Sequence, residues 1–386
     1  PANEWDITIV DKSATHFSQP AFLFIPFGKY RPEKAATKQA PLIPGGVTRI
    51  DSGVDKVDPD AKTVALSNGQ ELAYDYLIIA TGTSIHPEET PGMEDDWHGK
   101  VHTFYTYDDA IALRDELARF RGGKVVIHIT EMPIKCPVAP LEFTLLADDF
   151  FKKQGIRDAV DITYVTPLPG AFTKPAASAA FGGLLDEREI ALEADFMIES
   201  VDVEESKIVS YDEREVPDDL LGTIPLNMGA EFVTASGLGN ELGVVPVDHG
   251  TLQHPEHPEI CALGDAAAVP ASKAGAVAHY ELDIFTENFM HIIKGEEPTE
   301  KFDGHATCFI ESSGGKAMLI DFNYDTEPLP GKFPVPAVGP MSLLKESRLN
   351  HMGKLGFEPV YWSMLLPGRP IPLDPHMSMR GKKPVS

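Results

Sequence analysis

Residues 124–142 read KVVIHITEMPIKCPVAPLE, and this stretch decides the fold. Its first six residues form a β-branched apolar run typical of a buried strand, and the residues from Pro140 onward predict a helix. A dinucleotide-binding unit has a glycine loop between such a strand and helix, because the backbone there must come close to a pyrophosphate. In this chain prolines and Cys136 take the place of the glycines. The pattern therefore predicts a Rossmann-like unit that presents a thiol where NAD(P) would otherwise bind.

The composition narrows the class of protein. A chain of 386 residues is long enough for two domains, each with its own core. It has 59 acidic and 33 basic residues, and the net charge of −26 argues against nucleic acid as a partner. Three cysteines are too few for a secreted disulfide scaffold, which favours a cytoplasmic address. We also expect no membrane-spanning segment and no export signal, since the sequence has neither pattern.

The first strand of the chain ends in an acidic residue. Residues 5–12, WDITIVDK, predict a strand that ends at Asp11 and Lys12. The second strand of a Rossmann unit ends in this way, with the carboxylate accepting hydrogen bonds from ribose hydroxyls. The first strand and its Gly-x-Gly-x-x-Gly loop would precede it by about 30 residues. We therefore expect the chain to be a fragment that lacks them, the alternative being that Asp11 is only a turn residue.

Two further turns come at the ends of short apolar strands. Ala80, Thr81 and Gly82 close one strand, and a glycine there lets the backbone approach a cofactor. Gly264 and Asp265 close another, ahead of an alanine-rich helix start. A carboxylate in that place can hold a ribityl hydroxyl while the helix N-terminus faces a flavin ring. The three motifs in this order are far more specific than any one alone.

The chain resembles the sulfide:quinone oxidoreductase family, which consists of flavoproteins with two dinucleotide-type domains and belongs with the disulfide reductases. The paired cysteines Cys136 and Cys308 are the most specific part of the likeness, because related NADH:quinone dehydrogenases keep a nucleotide glycine loop. The matching segments are 16–22, 80–82, 135–142, 264–265, 273–275 and 307–308.

The resemblance implies an FAD cofactor and the substrates sulfide and quinone. In that family pattern Cys136 and Cys308 are joined at rest, directly or through bridging sulfur. Hydrosulfide attacks one of the two sulfurs and leaves a persulfide, and the other cysteine passes electrons to the flavin. The sulfur of Cys308 is slightly preferred as the one that is attacked, and the choice between the two cysteines stays open. The cofactor-binding residues implied are Asp11, Lys12, Pro20, Ala80, Thr81, Gly82, Gly264, Asp265, Lys273 and Gly275, and no metal is expected.

Several of these residues also have a structural interpretation. Glu142 is either a proton carrier beside the thiol or an exposed helix-cap residue. Lys273 is either a cation near the flavin or the quinone carbonyl, or a solvated side chain. Cys261 and His128 lie inside apolar strands, and we expect both to be core residues.

The C-terminal segment differs in charge from the rest of the chain. From Met341 onward it has seven basic and three acidic residues, and Leu349, Met352 and Leu355 follow a helical spacing. The aromatic and apolar run at 360–366 comes next. The pattern favours an interfacial anchor that holds the protein on the cytoplasmic face of the cell membrane. The alternative is a helix packed on the core or in a dimer interface, and whether the protein is a homo-oligomer stays open.

The expected fold class is α/β, with tandem Rossmann-like domains and a C-terminal amphipathic membrane-binding segment. We predict an FAD-binding domain at 1–105 and 231–300, a second Rossmann-like domain at 106–230 and a cysteine-bearing, membrane-interface region at 301–386. Residues 51–70 predict a small antiparallel excursion. The expected function is sulfide oxidation with quinone as acceptor. The alternatives are a soluble sulfide dehydrogenase that reduces a cytochrome, an NADH:quinone dehydrogenase and a flavin-free binding scaffold.

Overall fold

The computed structural model describes residues 4–312, 314–335, 339–371 and 373–383. The first α/β unit opens with a parallel pair, β1 with β4, and continues with the antiparallel sheet β5-β6-β7. This sheet confirms the antiparallel excursion predicted at 51–70. The strands of this part are β1 (Ile7–Asp11), β2 (Thr15–Phe17), β3 (Ala36–Lys38), β4 (Val47–Asp51), β5 (Val54–Asp58), β6 (Thr63–Leu66), β7 (Glu71–Ala73), β8 (Leu77–Ile79) and β9 (Ser84–His86).

The second α/β unit is built on a parallel five-stranded sheet in the order β10-β17-β11-β12-β13. Helices cover this sheet, and β11 is buried from Val126 to Ile129, as its unbroken apolar run predicts. The elements are β10 (Val101–His102), α1 (Tyr107–Arg119), β11 (Gly123–Ile129), α2 (Ala139–Gln154), β12 (Val160–Val165), α3 (Pro175–Asp186), β13 (Ala191–Glu193), β14 (Ile198–Asp202), β15 (Lys207–Ser210), β16 (Glu215–Pro217) and β17 (Leu220–Ile224).

The chain then returns to the first unit. Strand β18 (Leu226–Met228) pairs with β9, and β20 (Ile260–Ala262) pairs in parallel with β8. Because parallel neighbours end at the same edge, the turn after β8 and the turn after β20 lie side by side. The other elements of the return are α4 (Glu231–Ala235), β19 (Val245–Pro246), β21 (Ala267–Ala268) and the long helix α5 (Gly275–Ile292).

A four-stranded sheet and a helix complete the described chain. The strands β22 (Ala306–Glu311), β23 (Ala317–Phe322), β24 (Gly331–Val335) and β25 (Gly339–Leu343) lie in the order β22-β23-β25-β24. Helix α6 (Arg348–Val360) begins where the side chain of Ser347 accepts a hydrogen bond from the Asn350 N–H. Pro359 cannot donate to the helix, and the regular helix gives way to a π-helical turn at Tyr361–Leu365.

Helix α2 is the element that joins these parts. Twelve of its sixteen residues are buried, because it packs on the parallel sheet on one side and on β22 on the other. Phe143 of this helix stacks on Phe104 with 4.5 Å between the ring centres. The residues before α2 and the strand β22 are therefore held against each other. The α/β class predicted from the sequence is confirmed.

The described helices include none with the length and apolar character needed to cross a bilayer. The domain boundaries stay a prediction. That a first strand and a glycine loop belong before β1 also stays a prediction.

Candidate active site

The loop that bears Cys136 is held by three parts of the chain. Cys136 has a left-handed backbone with φ of +50°, which residues other than glycine rarely adopt. Its N–H donates to the carbonyl of Lys273, and its own carbonyl accepts from the Ala139 N–H at 2.8 Å and the Tyr105 hydroxyl at 3.3 Å. The loop between β11 and α2 therefore fixes a thiol in the place where a nucleotide loop would be.

Cys308 lies on β22 and lines the same cavity as Cys136. The cavity has a volume of about 290 Å³. Both sulfurs are free thiols in this structure, as is the third cysteine, Cys261, which is buried in β20 as predicted. Two cysteines that are remote in sequence thus share one cavity, and the bond between them stays a prediction.

The surroundings of the two thiols oppose their ionisation. Burial raises the pKa of Cys136 to about 12, with a further rise from the charge of Glu142 and an opposing effect from Lys354. Burial also raises the pKa of Cys308 well above its usual value, and the charge of Cys136 adds to this. Both thiols are protonated at neutral pH, so a thiolate here needs a nearby cation or proton acceptor.

Glu142 and Lys354 form a buried ion pair beside these thiols. Glu142 is 1% exposed and accepts a hydrogen bond from the Glu311 N–H at 2.6 Å. Lys354, on α6, contacts the Glu142 carboxylate and donates to the Phe309 carbonyl at 2.9 Å. Burial raises the pKa of Glu142, and the attraction of Lys354 opposes that rise. The interpretation of Glu142 as an exposed cap is wrong, because α2 is packed on this side.

A second cavity of about 530 Å³ adjoins the Cys136 loop. Cys136, Glu142 and Lys354 line both cavities. The second cavity is also lined by Lys135 and Asp265, which do not line the first. Its volume is in the range of small-molecule and cofactor sites. The two cavities therefore share the side chains of Cys136, Glu142 and Lys354.

Lys273 supports the second cavity through its backbone contacts. Its ammonium donates to the carbonyl of Asp265 at 2.9 Å and also contacts the carbonyl of Ala267. Burial lowers the pKa of this lysine, and the prediction of a solvated side chain is wrong. Another lysine that lines this cavity is Lys135, whose Nζ lies 5.7 Å from the ring centre of Tyr105. The sequence analysis missed Lys135 as a site residue, although it directly precedes Cys136.

The second cavity fits the ring end of the FAD that the resemblance implies. Gly275 lines it and begins α5, an 18-residue helix whose N-terminus can bind electron-rich groups. Asp265 lines it as well and can accept from a ribityl hydroxyl. Behind it, the Gly264 N–H donates to one oxygen of Glu281 at 2.6 Å, while the other Glu281 oxygen is buried without a partner in the described chain. Glu281 does not line the cavity itself and burial raises its pKa to about 7, so the fit depends on Gly275 and Asp265.

The other predicted cofactor residues lie apart from both cavities, except Pro20, which lines both. The carboxylate of Asp11 accepts from the Ser13 N–H at 2.8 Å and from Gln39 Nε2 at 2.5 Å, and Lys12 is exposed. The turn of Ala80, Thr81 and Gly82 follows β8, and Gly82 has a φ of +67° with open space around it. The structure does not bring these five residues to the cysteines.

The sequence analysis also missed the polar face of α6. His351 and Lys354 line the first cavity, and the Nδ1 atom of His351 lies 2.6 Å from Glu311 Oε1. These residues and Tyr361 follow a helical spacing on α6 and the turn after it, and the exposed Leu355 lines the same cavity at its edge, whereas Leu349 and Met352 line neither described cavity. Helical spacing of the polar residues was the signal that would have found them.

Comparison with known proteins gives one family match to the first part of the chain and several relatives that match most of it. The family described as pyridine nucleotide-disulphide oxidoreductase matches residues 3–132. Mitochondrial sulfide:quinone oxidoreductase of Mus musculus is 26% identical over 371 residues, which is 94% of this chain and 81% of that protein. The protein of the same name from Dictyostelium discoideum is 27% identical over 95% of this chain and 81% of its own length. The X-ray structure of the sulfide:quinone oxidoreductase from Aquifex aeolicus superposes with a TM-score of 0.80 at 21% identity, covering 95% of this chain and 87% of that one.

Proposed function

Because the chain belongs to the sulfide:quinone oxidoreductase family of FAD-dependent flavoproteins, we propose that it oxidises sulfide to zero-valent sulfur and reduces a quinone. One observation carries the proposal. Cys136 and Cys308 are remote in sequence, yet both line one small cavity.

The proposed chemistry begins with a disulfide, direct or extended by sulfur, between these two cysteines. Hydrosulfide attacks one sulfur, a new sulfur–sulfur bond forms, and the old bond breaks, which leaves a persulfide on one cysteine and a thiolate on the other. Bound FAD supplies the electron acceptor for that thiolate and the donor for the quinone. Burial raises the pKa of both thiols, so the thiolate that leaves needs a nearby cation, and the charge of Lys354 opposes the rise at both cysteines.

The charged side chains of the first cavity have separate tasks in this proposal. Lys29 and Lys354 line the cavity and attract the hydrosulfide anion into a protein whose net charge is −26. Lys354 also stabilises a thiolate formed beside it. Glu142 accepts the proton that sulfide releases, and because it lines both cavities it can release a proton on the quinone side.

Two groups of residues would hold FAD, one at its flavin ring and ribityl chain and the other at its adenosine end. The N-terminus of α5 at Gly275 and the side chains of Lys135 and Asp265 would hold the ring and the ribityl chain. We assign Asp11, Lys12 and the turn of 80–82 to the adenosine end, because each ends or follows a strand of the first unit and lines neither described cavity. Lys273 would act indirectly, by holding the backbone from Asp265 to Ala267 in place.

The function is tested by anaerobic titration of the flavin-loaded protein with sulfide. We expect sulfide to bleach the flavin absorbance and a quinone analogue to restore it, with NADH inactive as the donor. If NADH bleached the flavin absorbance and sulfide did not, the protein would instead be an NADH:quinone dehydrogenase. If a cytochrome reoxidised the reduced flavin and a quinone did not, the electron acceptor would be a cytochrome instead of a quinone.

We further propose that α6 places the protein on a membrane surface, on the cytoplasmic face. The helix leaves three apolar side chains largely in water: Leu349 is 48% exposed, Met352 is 65% exposed and Leu355 is 55% exposed. An apolar stripe beside basic residues suits the interface between headgroups and acyl chains. The Tyr361–Leu365 turn continues this surface with aromatic residues.

Changing Leu349, Met352 and Leu355 together to glutamate should weaken binding to phospholipid vesicles by at least about tenfold, because burying apolar area drives such binding. Cosedimentation with vesicles measures the effect. Met197→Glu is the matched control, since Met197 is 47% exposed, lines neither described cavity and should leave binding unchanged. Equal loss in both variants, or no loss in the triple variant, would contradict the assignment of α6.

A further inference from the structure

His16 and Tyr361 form a side-chain pair that the chemistry proposed above does not use. The Nε2 atom of His16 lies 2.6 Å from the Tyr361 hydroxyl, and the two rings are stacked with 6.0 Å between their centres. The ring of Trp362 meets His16 edge to face at 5.9 Å. His16 belongs to β2, whereas Tyr361 begins the π-helical turn after α6, and such turns are frequent at functional sites. Two residues that are 345 positions apart are thus joined in the tertiary structure.

Both side chains of this pair line the second cavity. They come from two stretches of chain, 16–23 and 357–366, which also supply much of the apolar lining. The aromatic and leucine side chains that line the cavity from these stretches are Phe17, Phe22, Leu23, Phe357, Leu365 and Leu366. A quinone headgroup is a flat and largely apolar ring, and side chains of this kind suit it. This part of the cavity wall therefore fits a quinone headgroup.

The carbonyl oxygens of a quinone only accept hydrogen bonds, so its site must supply donors. Several donors of the second cavity already have partners within the protein, namely the hydroxyl of Tyr105 and the ammonium groups of Lys273 and Lys354. Lys135 is assigned above to the flavin ring. The side chains that are left as donors are His16, Gln19, His279 and Tyr361. Of these four, His16 and Tyr361 hold each other in a fixed direction through their hydrogen bond and stacked rings.

Burial sets the charge state of the pair. It lowers the pKa of His16, with an opposing effect from Asp11, and it raises the pKa of Tyr361 to about 12. Both side chains are therefore uncharged at neutral pH. A neutral imidazole has one N–H, and with that hydrogen on Nε2, His16 donates to the tyrosyl oxygen. The O–H of Tyr361 is then free to donate to a ligand in the cavity.

We propose that the Tyr361 hydroxyl binds one carbonyl oxygen of the quinone headgroup, and that His16 is the positioning residue that directs this hydroxyl. The quinone ring then packs on the aromatic and leucine side chains of the same two stretches. A lipid-soluble acceptor would reach this place along α6, because the turn that bears Tyr361 directly continues the helix whose apolar residues are exposed. This inference rests on the proposed function, in which a quinone is the electron acceptor.

The experiment measures reoxidation of the reduced flavin without sulfide. The flavin-loaded protein is reduced with one equivalent of dithionite and mixed with decylubiquinone or with ferricyanide, and stopped-flow absorbance follows the flavin. Tyr361→Phe should raise the quinone concentration for half-maximal rate by about tenfold, because a quinone carbonyl loses its hydrogen bond in a buried place. Reoxidation by ferricyanide should stay within about twofold, since this acceptor takes single electrons and has no carbonyl group to bind.

Quenching of tryptophan fluorescence by decylubiquinone measures binding to the oxidised protein directly. Trp362 lies edge-on to Tyr361 at 5.3 Å between ring centres, so a quinone bound at this hydroxyl should quench it. The dissociation constant should rise by about tenfold in Tyr361→Phe. His16→Phe should have the same effect, whereas His16→Gln should restore most of the affinity, because an amide N–H can donate to the tyrosyl oxygen. The His16→Phe/Tyr361→Phe variant should be no worse than Tyr361→Phe alone, since the two residues act as one unit.

Tyr30→Phe is the matched control. The Tyr30 hydroxyl also donates to a residue of α6, the Glu358 carboxylate at 2.8 Å, but Tyr30 lines the first cavity and not the second. Its removal should leave quinone binding unchanged. A rise in the quinone dissociation constant in Tyr30→Phe, an unchanged constant in Tyr361→Phe, or equal slowing with quinone and ferricyanide would overturn the proposal, because the pair would then only hold α6 in place.

This inference and the proposed function can fail separately. Dithionite replaces sulfide, so a failure of the cysteine chemistry does not affect the measurement. If ferricyanide reoxidised the wild-type flavin and decylubiquinone did not, the quinone of the proposed function would be wrong, and this inference with it. If decylubiquinone reoxidised wild type and Tyr361→Phe with the same concentration dependence, this inference alone would be wrong.

Discussion

Alanine at either Cys136 or Cys308 is expected to lower sulfide-dependent quinone reduction by about a thousandfold or more, because the disulfide needs both sulfurs. The variant that lacks both should be no worse than either single variant, since residues that act as one unit are not additive. Flavin content should be unchanged, because neither thiol is assigned to cofactor binding. Stopped-flow reduction of the flavin by sulfide measures the effect at the step where the cysteines act.

Cys261→Ala is the matched control for this prediction. Cys261 is 1% exposed in β20 and lines neither of the two cavities among the described residues. Its replacement should leave the rate within about twofold, because only a buried sulfur atom is lost. If Cys136→Ala or Cys308→Ala kept more than a tenth of the wild-type rate of flavin reduction by sulfide, the cysteine-pair mechanism would be wrong.

Lys354→Met is expected to destabilise the protein at neutral pH by about 3 kcal/mol, because it leaves the buried Glu142 carboxylate without its cation. The loss should depend on pH. Burial raises the pKa of Glu142 above its unfolded value, so the folded state binds an extra proton and its stability falls as pH rises through that interval. Without Lys354 the pKa rises further, so the interval extends to higher pH.

Urea unfolding at pH 5 and pH 8 measures this prediction. The deficit of Lys354→Met should be larger at pH 8, where Glu142 must ionise, than at pH 5, where it can stay protonated. Lys345→Met changes an exposed lysine just before α6 and should have little effect at either pH. The Glu142→Gln/Lys354→Met variant should recover most of the stability, since no charge stays buried. An equal deficit at both pH values would show that lost packing, not the ion pair, causes the effect.

The local sequence was enough to predict several parts of the molecule. The apolar run at 124–129 predicted β11, and it is buried because helices cover one face of the parallel sheet and the antiparallel strands β14 to β16 cover the other. The prolines around Cys136 predicted a loop that is not a phosphate loop, and the loop is fixed by hydrogen bonds from Tyr105 and to Lys273. The spacing of Leu349, Met352 and Leu355 predicted an exposed apolar face on α6. In each case neighbouring residues carry the whole signal.

Burial and pairing of charged residues were not predictable in this way. Glu142 and Lys273 each had a solvent-exposed interpretation that is wrong, and Lys354 was not singled out at all. A lysine has the same local pattern whether its partner is water or a carboxylate more than 60 positions away. The partner is decided by which elements pack on each other.

The amino-acid sequence by itself determined the α/β class, the thiol-bearing loop before α2 and the amphipathic character of α6, because these follow from periodicity and from residue types a few positions apart. Only the tertiary structure decided that Cys136 and Cys308 share a cavity and that Lys354 neutralises a buried carboxylate. Those contacts exist because α2 is packed between a parallel sheet and β22, and because α6 closes over the sheet of β22. Long-range packing, which no short stretch of sequence encodes, places these charges and sulfurs together.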